Sequence, residues 1–342
     1  MKAIRFHEHG GPEVLRYEDV PEPQIKPTEV LVRVKACAMN HLDLWLRRGI
    51  PGRKVSLPRI IGSDISGEVA AAGELVRSVK PGQRVLLSPG LSCGQCAHCV
   101  AGDDNFCRQY SIFGTVEDGG YAEYVKSPEV NVIPIPGNLS FDEAAAVPLV
   151  FLTAWHMLLN RARIKAGETV LVLGAGSGVG SAAIQIVKLL QGRVIATAGN
   201  DAKLAKAREL GADEVINHSA QDIAEEVKRL TGRRGVDIVF EHVGSATWPK
   251  SFASLAPGGR LVTCGATTGY DAGVDIRYLF SRQLSVLGSF MGRKDELLAA
   301  LRFIGEGKLR AVVDRAFPLA EARAAHEHLE KREQFGKVIL HP

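Results

Sequence analysis

The chain lacks a long uninterrupted apolar run. Its most hydrophobic stretch, Ala144 to Leu159, is interrupted by Pro148 and His156. That falls short of the ~20 residues a membrane-spanning helix needs, so the stretch is expected to be a buried helix. The opening residues, Met-Lys-Ala-Ile-Arg-Phe-His-Glu, hold no apolar segment of signal-peptide length. Charge of one sign is also missing. With 42 basic and 38 acidic residues in 342, the formal charge is +4, too little to imply a nucleic-acid or anionic-membrane partner. Internal repeats and low-complexity tracts are absent. At 46% hydrophobic and 23% charged, the composition excludes disorder, collagen and coiled coil. What remains is an ordinary globular chain, long enough for two domains and expected in the cytoplasm. In that compartment thiols stay reduced, so grouped cysteines point to a metal before a disulfide.

The first ~125 residues read as closely spaced short strands. Val30 to Lys35 alternates apolar with polar, and Gly67-Glu-Val-Ala-Ala-Ala-Gly and Gln83-Arg-Val-Leu-Leu-Ser follow between Gly and Pro punctuation. This predicts a barrel-like antiparallel module. From about Phe141 the texture changes. Asp142-Glu-Ala-Ala-Ala opens a helix with acids in its first turn. Glu168-Thr-Val-Leu-Val-Leu is a continuous apolar strand, of the kind buried on both faces of a parallel sheet. Helix and strand then alternate through Ser181 to Leu190, Arg193 to Ala198, Ala202 to Leu210, Glu214 to Asn217, Asp222 to Leu230, Val236 to Phe240 and Arg260 to Cys264. The rhythm predicts an α/β fold with a doubly wound parallel sheet. Helices around Leu297 to Phe303 and a closing strand at Lys337-Val-Ile-Leu complete the chain.

Gly174-Ala-Gly-Ser-Gly-Val-Gly180 stands directly after the buried strand and opens the helix Ser181-Ala-Ala-Ile-Gln-Ile-Val-Lys. Glycines let the backbone turn sharply and approach a pyrophosphate, which free N–H groups at the helix N-terminus then hold. The spacing is GxGxGxG rather than strict GxGxxG, so strand before and helix after carry the assignment to dinucleotide binding. At the end of the next strand, Asp201 lies at the distance of an acid that binds ribose hydroxyls, yet it equally reads as the cap of helix Ala202 to Leu210. Ala198 and Lys203 nearby would tolerate a 2′-phosphate, and the expectation leans to NADP over NAD.

Four of the six cysteines form one unit, Cys93-x2-Cys96-x2-Cys99-x7-Cys107. Four thiolates on turn-forming spacings suit one tetrahedral structural zinc, closed to substrate. An emptied site, a redox loop and an iron–sulfur cluster are the other readings of such a set, the last with different usual spacings. Cys37 and Cys264 stand alone in apolar, strand-like surroundings and read as packed thiols.

Taken together, the four-cysteine lobe, the glycine turn and the return through Gly336-Lys-Val-Ile-Leu resemble the medium-chain dehydrogenase/reductase superfamily of zinc alcohol dehydrogenases and quinone oxidoreductases. Gly62-Ser-Asp-Ile-Ser-Gly67, Pro81-Gly-Gln-Arg-Val85, Asp118-Gly-Gly-Tyr-Ala-Glu-Tyr124 and Leu152-Thr-Ala-Trp155 match the same pattern, over nearly the whole chain. The resemblance implies a GroES-like catalytic domain at 1–149 and 289–342, with the zinc lobe at 93–107, and a Rossmann cofactor domain at 150–288. It implies cofactor contacts from Ser177, Gly178, Val179 and Gly180 at the pyrophosphate, from Asn200, Lys203 and His218 around the adenosine ribose, and from Thr153, Val243 and Gly265 along the nicotinamide. Edge-to-edge pairing of nucleotide domains, common in the family, implies a homodimer or homotetramer.

The family's zinc alcohol dehydrogenases hold a second, catalytic zinc, and here the resemblance fails. Where a ligating cysteine would stand the chain has Asn40; the His-Glu pair reads Ser63-Asp64; the junction ligand reads Leu149; and Leu42 replaces a proton-relaying hydroxyl. Asn and Ser are poor zinc ligands and Leu is none. His41 with Asp43 or Asp64 could still recruit a metal, but Asn40-x-x-Asp43 resembles the zinc-free quinone oxidoreductase branch. Without that Lewis acid, hydrogen bonds must stabilise charge on the substrate oxygen, which suits quinones and enones better than a simple alkoxide. The expected activity is NAD(P)H-dependent hydride transfer to a small-molecule carbonyl. Asn40 would be a positioning donor, His41 a proton source with a reference pKa near neutrality, and Asp43 and Asp64 orienting carboxylates. An alcohol dehydrogenase with unusual ligands and a nucleotide-binding protein without turnover remain as alternatives. A zinc-ribbon nucleic-acid binder is disfavoured, since 93–107 carries only His98 and no basic run flanks it.

Overall fold

Alternation decides the strand at the centre of the N-terminal sheet. Along Glu29–Ala38, Val30, Val32 and Val34 are buried while Arg33 is exposed, as one half-covered face requires. The computed structural model describes residues 1–52 and 54–342, and the chain divides into two units, Met1–Leu149 with Arg293–Pro342, and Val150–Gly292. In the first unit the strands lie in the order Val313–Pro318, Lys337–His341, Glu29–Ala38, Asp64–Ala72, Arg84–Leu87, Val132–Pro134, and Tyr124–Pro128 also pairs with Glu29–Ala38. Every pairing is antiparallel except the outermost, Val313–Pro318 with Lys337–His341. Ala38 is flanked by Asp64 on one neighbour and Ile339 on the other. Carrying the antiparallel register two residues further sets Lys337 across from Asn40.

The second unit is a six-stranded, wholly parallel sheet in the order Glu214–Asn217, Arg193–Ala198, Thr169–Val172, Val236–Glu241, Leu255–Thr263, Ser285–Gly288. The order reverses beside Thr169–Val172, the switch point at which doubly wound sheets bind ligands. Val170, Leu171 and Val172 have no exposed surface, as a strand covered on both faces demands.

Two local expectations need correction. The single helix expected over Ala144 to Leu159 is three pieces: Phe141–Ala145, Pro148–Trp155 and a π-helical segment His156–Arg161. Pro148 has no N–H to continue a helix and is suited to begin one, so the chain restarts there. Asp201 does not cap its helix. Asn200 does, its side chain accepting from the Lys203 N–H, and Asp201 occupies the first turn. Among the described residues no helix is long and apolar enough to cross a membrane.

A buried polar chain ties helix His41–Arg48 to helix Ala322–Glu330. Arg47, fully buried, donates to the Gly10 carbonyl at 3.1 Å, to His326 Nδ1 at 3.0 Å and to Glu330. The Tyr121 ring meets His326 edge-on, and its hydroxyl donates to Asp43 at 3.3 Å. Burial, reinforced by Arg47, pushes His326 down to about 3, so it stays neutral in the fold. Burial pushes Asp43 up to about 6 against the hydrogen bonds that favour its ionised form. The two oppose each other. His326 makes stability rise with pH between about 3 and the unfolded value near 6.5, by roughly 5 kcal/mol. Asp43 makes it fall between about 4 and 6, by roughly 3 kcal/mol. Between pH 6.5 and 4 the two nearly cancel, so removing the histidine should expose the aspartate. His326→Gln should gain urea midpoint relative to the parent protein as pH falls from 6.5 to 4; an unchanged pH dependence would remove His326 as a contributor.

Candidate active site and metal centre

The strand register brings together three polar side chains that water barely reaches. Lys337 is 3% exposed, Asn40 7% and Asp64 0%. Lys337 Nζ donates to Asn40 Oδ1 at 2.5 Å and to Asp64 Oδ2 at 2.8 Å, and Asn40 Nδ2 donates to Asp64 Oδ2 at 3.0 Å. The other Asp64 oxygen accepts from the Leu149 N–H at 2.8 Å. Lysine can only donate and a carboxylate can only accept, so the triangle admits one orientation of the Asn40 amide. Sequence reasoning passed over Lys337, because Lys-Val-Ile-Leu reads as any closing strand.

The neighbours fix this triangle. Asn40 immediately precedes helix His41–Arg48, where Asp43 accepts from the Asn40 N–H at 2.8 Å and from the Gly62 N–H at 3.2 Å. Gly62 has a φ of +102°, and a Cβ there would lie 2.4 Å from the Tyr121 ring and 2.7 Å from Cys37 Sγ. Only glycine allows this approach to Ser63-Asp64. Ser63 is fully buried, with no hydrogen-bond partner for its hydroxyl among the described residues. His41 opens the helix, half-buried, with its ring 5.3 Å from that of Trp45. Leu149 offers Asp64 its backbone N–H. A catalytic zinc does not fit this donor set: the sole carboxylate at its centre is already shared by an ammonium, an amide and a backbone N–H, beside an apolar leucine.

The four cysteines form a different kind of site. Their sulfurs all lie within 4.8 Å of one another, with Cys93 and Cys99 at 3.9 Å and Cys96 and Cys99 at 3.5 Å. Tetrahedral zinc with sulfur at about 2.3 Å requires separations near these. N–H groups of Cys93 and Gln109 point at Cys107 Sγ, and that of Cys96 at Cys93 Sγ. Backbone N–H groups of Gln95 and Cys96 draw the Cys93 thiol down to about 6. The Cys96 thiol goes up to about 11: the Cys99 N–H lowers it, but desolvation and the adjoining thiols outweigh that. The residues present fit a structural zinc. Asp104 anchors the lobe by accepting from the Lys294 N–H at 3.1 Å, with Asp103 3.6 Å from Arg293.

In the second unit, strand Thr169–Val172 runs into Gly174, whose φ is +59°. Helix Gly178–Leu189 follows; its cap, Ser177, accepts from the Gly180 N–H at 2.9 Å. A Cβ on Gly180 would lie 2.4 Å from the Gly174 carbonyl, so the turn closes only around glycine. The N–H groups of Gly178 and Val179 have no acceptor within the helix, which makes this end fit an anionic pyrophosphate. Asn200 and Lys203 begin the helix after strand Arg193–Ala198, and His218 Nδ1 lies 3.3 Å from Thr197 Oγ1 at the end of that strand. Thr153 is buried, its hydroxyl without a hydrogen-bond partner among the described residues, and the Gly265 carbonyl accepts from Thr263 at 3.1 Å.

Two residues here escaped the sequence reading. Buried Glu241 accepts from the N–H groups of Val243 and Gly244 and the hydroxyls of Thr247 and Ser251, pinning the loop that carries Val243. His242 Nε2 lies 2.8 Å from the Leu173 carbonyl and 3.4 Å from Ser177 Oγ, and burial pushes this histidine down. Polar residues ending an apolar strand, Val-Phe-Glu-His, were the available signal.

Comparison with known proteins bears on both units. Residues 26–137 match the alcohol dehydrogenase GroES-like domain and 178–306 the zinc-binding dehydrogenase domain. Human quinone oxidoreductase is 32% identical over 99% of this chain and 97% of its own length. The NAD-dependent alcohol dehydrogenase of Sulfolobus acidocaldarius is 33% identical, with 99% of both chains covered. A crystal structure named NAD-dependent alcohol dehydrogenase superposes with a TM-score of 0.97 at 49% identity, covering 100% of both chains.

The cysteine lobe should retain about one zinc per chain through dialysis against a weak chelator. Cys96→Ser should reduce that content to near zero by elemental analysis and lower the melting temperature by about 5 °C or more. A metal-free preparation of unchanged stability would refute the assignment.

Proposed function

The chain belongs to the medium-chain dehydrogenase/reductase superfamily and is an oxidoreductase, and from that premise we propose that it reduces conjugated carbonyls, quinones or enones, with NAD(P)H and without a catalytic metal. The observation that carries the reading is the saturated Asp64 carboxylate: three protein donors, one of them an ammonium, take the place a divalent ion would need. A bound nicotinamide cofactor supplies the hydride. Ser177, Gly178, Val179 and Gly180 hold its pyrophosphate at the helix N-terminus, and Asn200, Lys203 and His218 surround the adenosine ribose. Thr153, Val243 and Gly265 line the nicotinamide side. Hydride arrives on a substrate carbon, the electron pair it displaces moves to the conjugated oxygen, and an N–H of Asn40 meets the resulting negative charge. One proton, delivered by His41 or water, completes the reduction. Asp43 and Asp64 orient Asn40, through its backbone N–H and its amide respectively.

Alcohol oxidation is the second reading, favoured by the relatives named NAD-dependent alcohol dehydrogenase. The lean to NADPH is supported by Asp201, whose carboxylate already accepts from Asn217 at 3.0 Å. The names of those same relatives weigh toward NADH. A single experiment covers these points. Quinone and enone reduction should survive a strong chelator, exceed oxidation of simple alcohols, and show the lower KM with NADPH. Chelator-sensitive alcohol oxidation without quinone turnover would sink the metal-free scheme, and a marked preference for NADH would overturn the cofactor assignment alone.

Pairing of nucleotide domains is part of the same proposal. Ser285–Gly288 is the last strand of its sheet, hydrogen-bonded on one side only among the described residues. Val286, Phe280 and Ile276, close to it in sequence, are 43%, 69% and 69% exposed. An open strand edge flanked by apolar side chains suits edge-to-edge pairing with a second copy. Val286→Lys combined with Phe280→Glu should convert a dimer or tetramer to a smaller species by light scattering. An unchanged mass would place the interface elsewhere.

A further inference from the structure

Lys337 stands at the centre of the polar triangle. Two of its three ammonium protons go to Asn40 and Asp64, and its side chain is 4% exposed. With Lys337 donating to Oδ1 and Asp64 accepting from Nδ2, a flipped Asn40 amide would turn its NH2 toward an ammonium and its carbonyl toward a carboxylate. Both contacts would be repulsive. The lysine therefore sets which amide atom faces each neighbour and leaves one Nδ2 proton uncommitted. Donation into Oδ1 also polarises the amide, which strengthens that remaining N–H as a donor.

We propose that Lys337 is the positioning cation of the reduction: it locks and polarises the Asn40 amide, so that the free N–H meets the charge developing on a quinone or enone oxygen. The inference rests on the metal-free reading above and deepens it. Lys337 acts through Asn40 and need not touch the substrate. Its removal should therefore weaken a transition-state interaction more than ground-state binding.

The test uses three variants of the full-length, cofactor-loaded enzyme with a quinone substrate. Lys337→Met should lower kcat about 30-fold with KM changed less than threefold. Lys337→Arg, which keeps a charged donor, should recover a substantial part of the loss. Because Lys337→Met strands a buried carboxylate and could unfold, its melting temperature is compared with that of the neutral pair Lys337→Met with Asp64→Asn, which balances the charge and should restore it. Since Asp64 itself orients Asn40, the decisive readout is the kcat recovered by Lys337→Arg at unchanged KM. A Lys337→Met enzyme within twofold of the parent, or a folded Lys337→Arg enzyme no faster than Lys337→Met, would overturn the proposal and leave Lys337 a counter-ion for Asp64. Loss of quinone reduction by the parent enzyme under a strong chelator would instead overturn the metal-free reading itself, so the two failures are distinguishable.

Discussion

Two opposite charges withdrawn from water, the Lys337 ammonium and the Asp64 carboxylate, constrain the rest of the first unit. Isolating either one in the interior would be costly, and losing one partner of such a pair typically costs about 3–5 kcal/mol. The fold meets this by surrounding both. Asp64 takes hydrogen bonds from Asn40 and the Leu149 backbone, and Lys337 donates also to Asn40. These groups come from the strand Asp64–Ala72, the turn after Glu29–Ala38, the helix Pro148–Trp155 and the strand Lys337–His341 near the C-terminus. The pair therefore requires that the last strand be in register before the site exists at all.

The first unit holds two clusters of opposite character. At the cysteine lobe, sulfurs from Cys93 to Cys107 are gathered by short turns and by backbone N–H groups that favour thiolate. A cation there neutralises the cluster and closes it, so its contribution is to stability. At the Asn40–Asp64 site the positive charge is covalent, part of the chain itself. An ammonium has no vacant orbital for a carbonyl oxygen. Its influence is electrostatic and passes through hydrogen bonds, and on this the proposed preference for substrates that spread charge over a conjugated system rests.

Behind the triangle lies a second layer of buried polarity, from Glu330 through Arg47, His326 and Tyr121 to Asp43. It links the helix that begins beside Asn40 to the C-terminal helix. The second unit repeats the device on a smaller scale, with Glu241 saturated by two N–H groups and two hydroxyls that pin the Val243 loop. In both units a buried carboxylate is spent on holding backbone, and the groups assigned to ligands sit next to it.

What was legible in the amino-acid order was what neighbouring residues settle among themselves. The glycine turn could be read because φ values and helix-end N–H groups are local properties, and the zinc lobe because all four thiols fall between positions 93 and 107. The βα rhythm and the chemical identities of Asn40, Ser63 and Leu149 were likewise visible, the last through resemblance. Local reading failed where neighbours compete, as at Pro148, which split an expected helix, and at Asn200, which took the cap from Asp201. Only the tertiary structure decided that Lys337 pairs with Asp64 across 273 positions of sequence, that His326 stays neutral beside Arg47, and that Glu241 anchors a loop. These depend on strand register and burial, and the free energy of a charge is set by the groups that replace its water, wherever in the chain they lie.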